Sequence, residues 1–165
     1  KSIDLDWFSQ KKVSMSRLKR KLFPSGKFKI ESEDKDTLNC QLDNNRASFF
    51  IYPYKLLFPF KNFKSIKLAD EYDIGCMKID TISSRGAKKD FIDLYFLLEK
   101  YSLKKLLDLF DKKYQGIQYN RFHILKSLIY FEEAEREPMP KMIKKASWSG
   151  VKNKLRKEVK NVVDE

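Results

Sequence analysis

The sequence predicts an α+β protein in which a mixed sheet comes first and a helical part follows. Patterns typical of strands are confined to the first 68 residues, whereas helical patterns occupy the rest of the 165-residue chain. Strands and helices do not alternate, which argues against repeated βαβ winding. We therefore expect the sheet at residues 1–68 and a helical bundle at residues 69–165.

Five strands and one short helix are predicted in the first part. Ile3, Leu5 and Trp7 alternate with two aspartates, which is the period-two pattern of a strand. Because these three side chains need a covered face, we expect this strand to lie inside the sheet. The remaining elements are a helix at residues 16–22 and strands at residues 27–30, 37–42, 47–52 and 65–68.

Five helices are predicted in the second part, and their starts follow from capping residues. Asp70, Ser102 and Ser147 are expected N-caps, and Gly86 is expected to end the first of these helices. The predicted helices cover residues 70–84, 88–100, 103–113, 119–134 and 148–162.

The composition favours an anionic partner and a reducing compartment. The formal net charge of +12 is typical of proteins that bind nucleotides, nucleic acid or acidic proteins, although a Lys-rich surface can simply maintain solubility. Cys40 and Cys76 are isolated, which favours the cytoplasm over an oxidising compartment. No apolar run approaches the roughly 20 residues that span a bilayer, so no membrane partner is expected. The single histidine, His123, is expected to have a structural or solvent-facing role.

Two segments are strongly basic. Residues 11–29 contain eight Lys or Arg and no acid, and residues 141–160 contain eight against one glutamate. Either segment could bind RNA phosphates without sequence preference. A solvated helix face is the more common reason for such a pattern, and it remains open here.

Asp4 and Asp6 are the first candidate site. On a strand, residues two apart point to the same face about 6.5–7 Å apart, so their carboxylates could share one divalent metal. Mg²⁺ prefers carboxylate and phosphate oxygens, which links such a pair to phosphoryl or nucleotidyl transfer. A half-exposed strand with polar residues facing water explains the same pattern.

Lys78, Arg85, Asp90 and Asp93 form the second candidate site. Asp93 lies in an apolar run at residues 91–98, so we expect it to be buried and to need a partner. Lys78 and Arg85 are seven apart and share a helix face, which makes them the nearest cations. Such a cluster could pin two helices together, or it could present a cation to the phosphates of a nucleotide.

These motifs together resemble the AbiEii/AbiGii nucleotidyltransferase toxin family. The resemblance begins with Ile-Asp-Leu-Asp-Trp-Phe-Ser at residues 3–9 and Tyr-Pro-Tyr at residues 52–54. It continues with Asp-Ile-Gly-Cys-Met-Lys at residues 73–78. The most specific block is Arg-Gly-Ala-Lys-Lys-Asp-Phe-Ile-Asp-Leu-Tyr at residues 85–95. Residues 130–131, 134–135 and 138–140 look like the downstream part of the short bacterial members.

The resemblance implies a nucleotidyltransferase fold, Mg²⁺-dependent nucleotide transfer and roles for individual residues. Asp4 and Asp6 resemble the metal-binding catalytic carboxylates, and Lys78 resembles the nucleotide-contacting lysine. Asp90 and Asp93 match the C-terminal acidic motif, in which Asp93 is the candidate catalytic residue. Arg85 and Asp90 are expected beside Lys78 at the nucleotide. The implied partners are a nucleoside triphosphate, tRNA or another RNA, and an antitoxin protein.

Two departures from the family pattern bear on activity. The Gly-Gly-Ser/Thr element should precede the Asp-x-Asp strand, so we expect the chain to begin partway through the domain. A third carboxylate is expected on a later strand, where residues 47–52 offer only Ser48. The leading hypothesis is therefore a nucleotidyltransferase whose aspartates face a cleft shared with Lys78. The alternative is a catalytically degenerate module of the same fold that binds a nucleotide or a partner.

Overall fold

The chain folds into two compact units, of which the first ends at Lys55 and the second starts at Leu56. The computed structural model describes residues 4–164, without the side chains of Asp4 and Ser25. Elements of the first unit are β1 (Asp4–Ser9), α1 (Met15–Leu22), a 3-10 turn (Phe23–Ser25), β2 (Phe28–Glu33), β3 (Thr37–Leu42) and β4 (Asn45–Ile51). This boundary lies earlier in the chain than the expected division between residues 68 and 69. The hairpin described below therefore belongs to the same unit as the helices.

The first unit is built around a mixed four-stranded sheet with the order β1-β4-β3-β2. Strands β2, β3 and β4 form an antiparallel meander, and β1 pairs in parallel with β4. A two-residue loop joins β3 to β4, and Asp43 and Asn44 both have positive φ in it. This conformation suits a tight hairpin, and Asn and Asp tolerate it better than most residues.

β1 lies at an edge of this sheet, so the expectation of an interior strand is wrong for the described residues. Only β4 pairs with β1, and Leu5 and Trp7 stay exposed. Trp7 is partly covered because its ring stacks on Phe49 of β4, with centroids 6.4 Å apart. Cross-strand stacking thus gives Trp7 part of the cover that was expected for this face, whereas Leu5 remains exposed. The predicted start of the strand at Ile3 lies outside the described residues.

The second unit contains a short hairpin followed by helices. Its elements are β5 (Lys61–Phe63), β6 (Ile66–Leu68), α2 (Glu71–Ser84), α3 (Lys88–Leu97), α4 (Leu103–Lys113), α5 (Arg121–Ser127), α6 (Glu132–Glu135) and α7 (Trp148–Val163). The predicted N-caps are confirmed: Asp70, Ser102 and Ser147 each accept a hydrogen bond from a backbone N–H in the first turn. The α+β fold class is therefore observed, with a mixed sheet first and helices after it.

One predicted helix, at residues 119–134, is instead two helices. The backbone N–H groups of Ile129 and Tyr130 donate to carbonyls three residues back, which tightens and ends α5. Phe131 then packs its ring against Phe91 and Trp148, at centroid distances of 5.1 and 5.6 Å. Phe131 is buried by these contacts and precedes the first residue of α6.

Helix α2 lies at the centre of the second unit and packs against α3, α4 and α5. Its residues Cys76 and Ile79 have no exposed surface. Gly75 lets α4 approach closely, since a Cβ built on it would lie 2.9 Å from Cδ2 of Leu106. The close packing of α2 determines which of its polar side chains can reach α3.

Candidate functional site

Four charged side chains meet where α2 and α3 come together. Nζ of Lys78 lies 2.9 Å from Oδ1 of Asp90 and 2.6 Å from Oδ2 of Asp93. Arg85 donates to Oδ2 of Asp90 from Nε at 3.1 Å and from Nη2 at 3.0 Å. The structure therefore brings together all four residues of the second candidate site, which we call the Lys78 cluster.

The connection between the two helices explains this arrangement. Arg85 is the C-cap of α2, Gly86 adopts a positive φ of 59°, and α3 begins at Lys88. Glycine tolerates this left-handed conformation without a Cβ clash, and it ends α2 as predicted. Asp90 and Asp93 are three residues apart on α3, so both carboxylates lie on the side that faces Lys78.

The expectation that Asp93 is the buried carboxylate is wrong. The Asp93 side chain is 52% exposed, whereas the Asp90 side chain is 1% exposed. Phe91, Ile92 and Leu94 are buried, and the rotation of α3 that buries them turns Asp93 outwards. An apolar run thus does not bury every residue within it, because a helix packed on one side keeps a solvent-facing position. The expected pairing of Asp93 with Lys78 is nevertheless observed.

Lys78 is held in its charged form. Burial lowers the pKa of Lys78, but the carboxylates of Asp90 and then Asp93 raise it by more, so the net shift is upward. The Lys78 side chain keeps 23% of its surface exposed. A charged lysine that is fixed by two carboxylates and keeps part of its side chain exposed can contact an anion from solvent.

The charges of the Lys78 cluster balance, with two cations and two anions. A purely structural ion-pair network between α2 and α3 would show the same balance. The geometry alone therefore fits a structural role as well as a nucleotide-binding role. The difference lies in exposure: Asp90 is closed off, whereas Asp93 and Arg85 face outwards. Only the outer side of the cluster could contact a ligand.

The first candidate site lies on β1 in the first unit. In the register of β1 and β4, Asp4 is opposite Arg46 and Asp6 is opposite Ser48. The Asp6 side chain is exposed, and Ser48 is in turn opposite Asn39 of β3. Among residues 4–164, no group of three or more His, Cys, Asp or Glu side chains is placed to hold a metal ion. The expectation that both aspartates share a cleft with Lys78 stays a prediction.

Sequence reasoning missed a second charged pair, which is fully buried. Nζ of Lys113 lies 2.6 Å from Oδ1 of Asp73, and neither side chain has exposed surface. Asp73 also accepts hydrogen bonds from the backbone N–H groups of Leu57 and Phe58, at 3.0 to 3.1 Å. The sequence around Asp73 predicts only that this residue lies in the first turn of a helix. It does not predict a pair with Lys113. Lys113 follows Leu106, Leu109 and Phe110 by seven, four and three residues, which puts it on the buried face of α4. This spacing is the signal in the sequence that points to a buried lysine.

Lys88 is another buried cation that the sequence does not single out in this role. Its ammonium donates to the backbone carbonyl of Glu137 and lies 5.2 Å from the ring centroid of Trp148. Its backbone N–H donates to Oε2 of Glu137 at 2.9 Å. These contacts attach the start of α3 to the segment before α7, so Lys88 stabilises the helix that carries Asp90 and Asp93.

The fold and the Lys78 cluster define an α+β protein with an N-terminal mixed sheet and an ion-pair cluster between two C-terminal helices. The chain belongs to the same family as the uncharacterized protein aq_aa25 of Aquifex aeolicus (strain VF5). The two are 37% identical over 169 residues, which cover 99% of this chain and 80% of the relative. No family model matches the chain.

A crystal structure of JHP933 from Helicobacter pylori aligns with 99% of this chain and 82% of its own, at 15% identity. The TM-score is 0.40. Among the described helices, none combines the length and the apolar character needed to cross a membrane.

Proposed function

We propose that this protein is a nucleotidyltransferase that moves a nucleotide from a nucleoside triphosphate to an RNA acceptor such as tRNA. The observation that carries the proposal is the placement of Lys78, whose ammonium is fixed by Asp90 and Asp93 at a partly exposed position. A cation that is already oriented can stabilise phosphate charge without reorganising during the reaction.

Each member of the Lys78 cluster has its own role in this proposal. Lys78 contacts the triphosphate from the exposed side. Asp90, buried and bound to both Lys78 and Arg85, positions the two cations. Asp93 is exposed beside Lys78, so its carboxylate can orient the ammonium or accept a proton from the attacking hydroxyl.

Asp4 and Asp6 would hold Mg²⁺ in this proposal. The donor set fits this ion, because Mg²⁺ is commonly bound by one or two carboxylates together with substrate phosphates and water. Asp6 is exposed, so its carboxylate is accessible to such a complex. When bound there, the ion would neutralise charge on the phosphates.

The resemblance to the AbiEii/AbiGii family and the net charge of +12 support an RNA acceptor. The same resemblance supports a cytoplasmic toxin that is paired with an antitoxin protein.

A second candidate function is a binding module that has lost catalysis. The observation in its favour is Ser48, which lies opposite Asp6 on the neighbouring strand, where the family pattern calls for an acid. Such a module would bind a nucleoside triphosphate at Lys78 without transferring it.

Nucleotide transfer separates the two functions. The purified protein is incubated with each α-labelled nucleoside triphosphate, Mg²⁺ and total tRNA, and the label in RNA is measured. We expect incorporation that EDTA abolishes and that Asp6→Asn reduces strongly, with Asp34→Asn as an exposed control in the same unit. Triphosphate binding without incorporation would support the binding module. Absence of both would contradict both functions.

A further inference from the structure

The basic segment at residues 11–29 folds into a surface that the proposed transfer does not use. It comprises α1, the 3-10 turn that follows and the start of β2. An open concavity of about 390 Å³ lies in this region, lined by Lys19, Arg20, Phe23, Phe28 and Ile30. We call it the Phe23 concavity. It combines apolar lining with cations.

Phe23 is presented to solvent by its backbone. The 3-10 turn begins at Phe23 with Pro24 next to it, directly after α1 ends at Leu22. Phe23 is 72% exposed. Ile30 of β2 is exposed in the same concavity. A ring held out at the rim of an apolar recess is available to stack on another planar group.

The cations near Phe23 differ in what they can bind. Lys19 is neutralised, because its ammonium contacts both carboxylate oxygens of Glu33, at 2.6 and 2.7 Å. This pair holds α1 on β2. Arg17 and Arg20 are exposed, and within the described part of the chain neither forms an ion pair with an acid. Their positive charge is therefore available to an external anion.

Arg17, Arg20 and Phe23 follow one another at intervals of three residues. Residues three apart on a helix are neighbours, about 5–6 Å between Cβ atoms. The row therefore places two cations before an exposed ring.

We propose that the Phe23 concavity, together with Arg17 one turn earlier on α1, binds single-stranded nucleic acid, with one base stacked on Phe23 and the backbone phosphates on Arg17 and Arg20. Aromatic rings beside cations bind single strands because every base has a π-face and every nucleotide a negative charge. A duplex would not fit as well, since its bases are already stacked on each other. An anionic membrane is disfavoured because α1 has no fully exposed apolar residue: Met15 is buried, and Leu18 and Leu22 are half-buried. The proposal concerns binding alone and does not depend on nucleotide transfer.

Binding of a fluorescein-labelled dodecauridine RNA, measured by anisotropy, tests the proposal. We expect Phe23→Ala to weaken binding about tenfold. Phe122→Ala is the matched control, because Phe122 is 74% exposed but lies in the other unit, and it should bind like the parent. Phe23→Trp should bind at least as tightly as the parent, since it keeps a stacking ring.

Salt dependence tests the role of the arginines. The slope of log affinity against log salt changes by roughly 0.7 for each phosphate of a single strand that the protein neutralises. Arg20→Gln should reduce the slope by about that amount, whereas Lys105→Gln, an exposed lysine of α4, should leave it unchanged. Thermal melting of each variant checks that the fold is intact.

Three results would overturn the proposal. The first is equal affinity of the parent and Phe23→Ala for the RNA. The second is tighter binding of a duplex of the same sequence than of the single strand. The third is binding of anionic lipid vesicles with no measurable binding of the RNA.

Discussion

Nζ of Lys78 lies 2.9 Å from Oδ1 of Asp90, whose side chain is almost completely buried, while the neighbouring carboxylate of Asp93 is half exposed. The two aspartates share one partner but differ in environment. Variants of Asp90 and Asp93 can therefore test the buried side and the exposed side of the Lys78 cluster separately.

Asp90→Ala should destabilise the fold far more than Asp93→Ala. Removing a buried carboxylate leaves Lys78 and Arg85 without their shared partner, which should cost about 3 kcal/mol. Removing the exposed carboxylate of Asp93 should cost no more than about 1 kcal/mol. Urea unfolding of both variants gives the two free energies. Equal losses would show that burial does not distinguish the two aspartates.

The buried pair of Asp73 and Lys113 should be the most sensitive ion pair among the described residues. Lys113→Met leaves a buried carboxylate without its cation, so we expect a loss of about 3–5 kcal/mol. Adding Asp73→Asn should recover part of that loss, because it removes the unpaired charge and keeps the shape. Lys100→Met, which breaks the exposed pair with Glu71, is the control and should cost about 1 kcal/mol or less. A double variant as unstable as the sum of the two single variants would contradict this account.

Asp80→Asn should stabilise the protein at neutral pH. Burial raises the pKa of Asp80 above its ordinary value of 3.8, so its charged form is disfavoured in the folded state. The native state then binds a proton more readily than the unfolded state, and ionisation of Asp80 weakens folding above its raised pKa. The gain from Asp80→Asn should be present at pH 7 and disappear as the pH falls below 3.8. Melting temperatures across that range measure it, and a gain that persists at low pH would contradict the assignment to burial.

Gly75→Ala should destabilise the helical unit even though alanine favours helix. The new Cβ would lie 2.9 Å from Cδ2 of Leu106, a residue with no exposed surface and little room to move. Overpacking of this kind costs about 1–3 kcal/mol, more than the 0.5–1 kcal/mol or so gained from helix propensity. In a Leu106→Ala background the clash is absent, so Gly75→Ala should become neutral or stabilising. A destabilisation of the same size in both backgrounds would rule out the contact with Leu106.

Local sequence signals predict most of the elements because they depend on neighbouring residues. The N-caps at Asp70, Ser102 and Ser147 each act within one helical turn, and all three are observed. Gly86 ends α2 for an equally local reason. Asp43 and Asn44 form a tight loop where the sequence shows a polar stretch between two strands.

Features set by long-range packing are not predictable in the same way. Whether Asp90 or Asp93 is buried depends on how α3 rotates against its neighbours, which an apolar run does not specify. The edge position of β1 depends on which strands pair with it. The alternation of Leu5 and Trp7 predicts a strand but does not predict its neighbours in the sheet. The break before Phe131 depends on Phe91 and Trp148, which are distant in sequence.

Triphosphate binding by variants of Lys78 tests whether this lysine contacts a nucleoside triphosphate. Titration calorimetry with ATP, GTP, CTP and UTP in the presence of Mg²⁺ measures the affinity of the parent, Lys78→Met and Lys100→Met. We predict that the parent binds at least one of the four and that Lys78→Met weakens this binding at least about tenfold, or about 1.4 kcal/mol. Lys100→Met should bind like the parent. Undiminished binding by a folded Lys78→Met variant, or no binding of any triphosphate by the parent, would contradict this prediction.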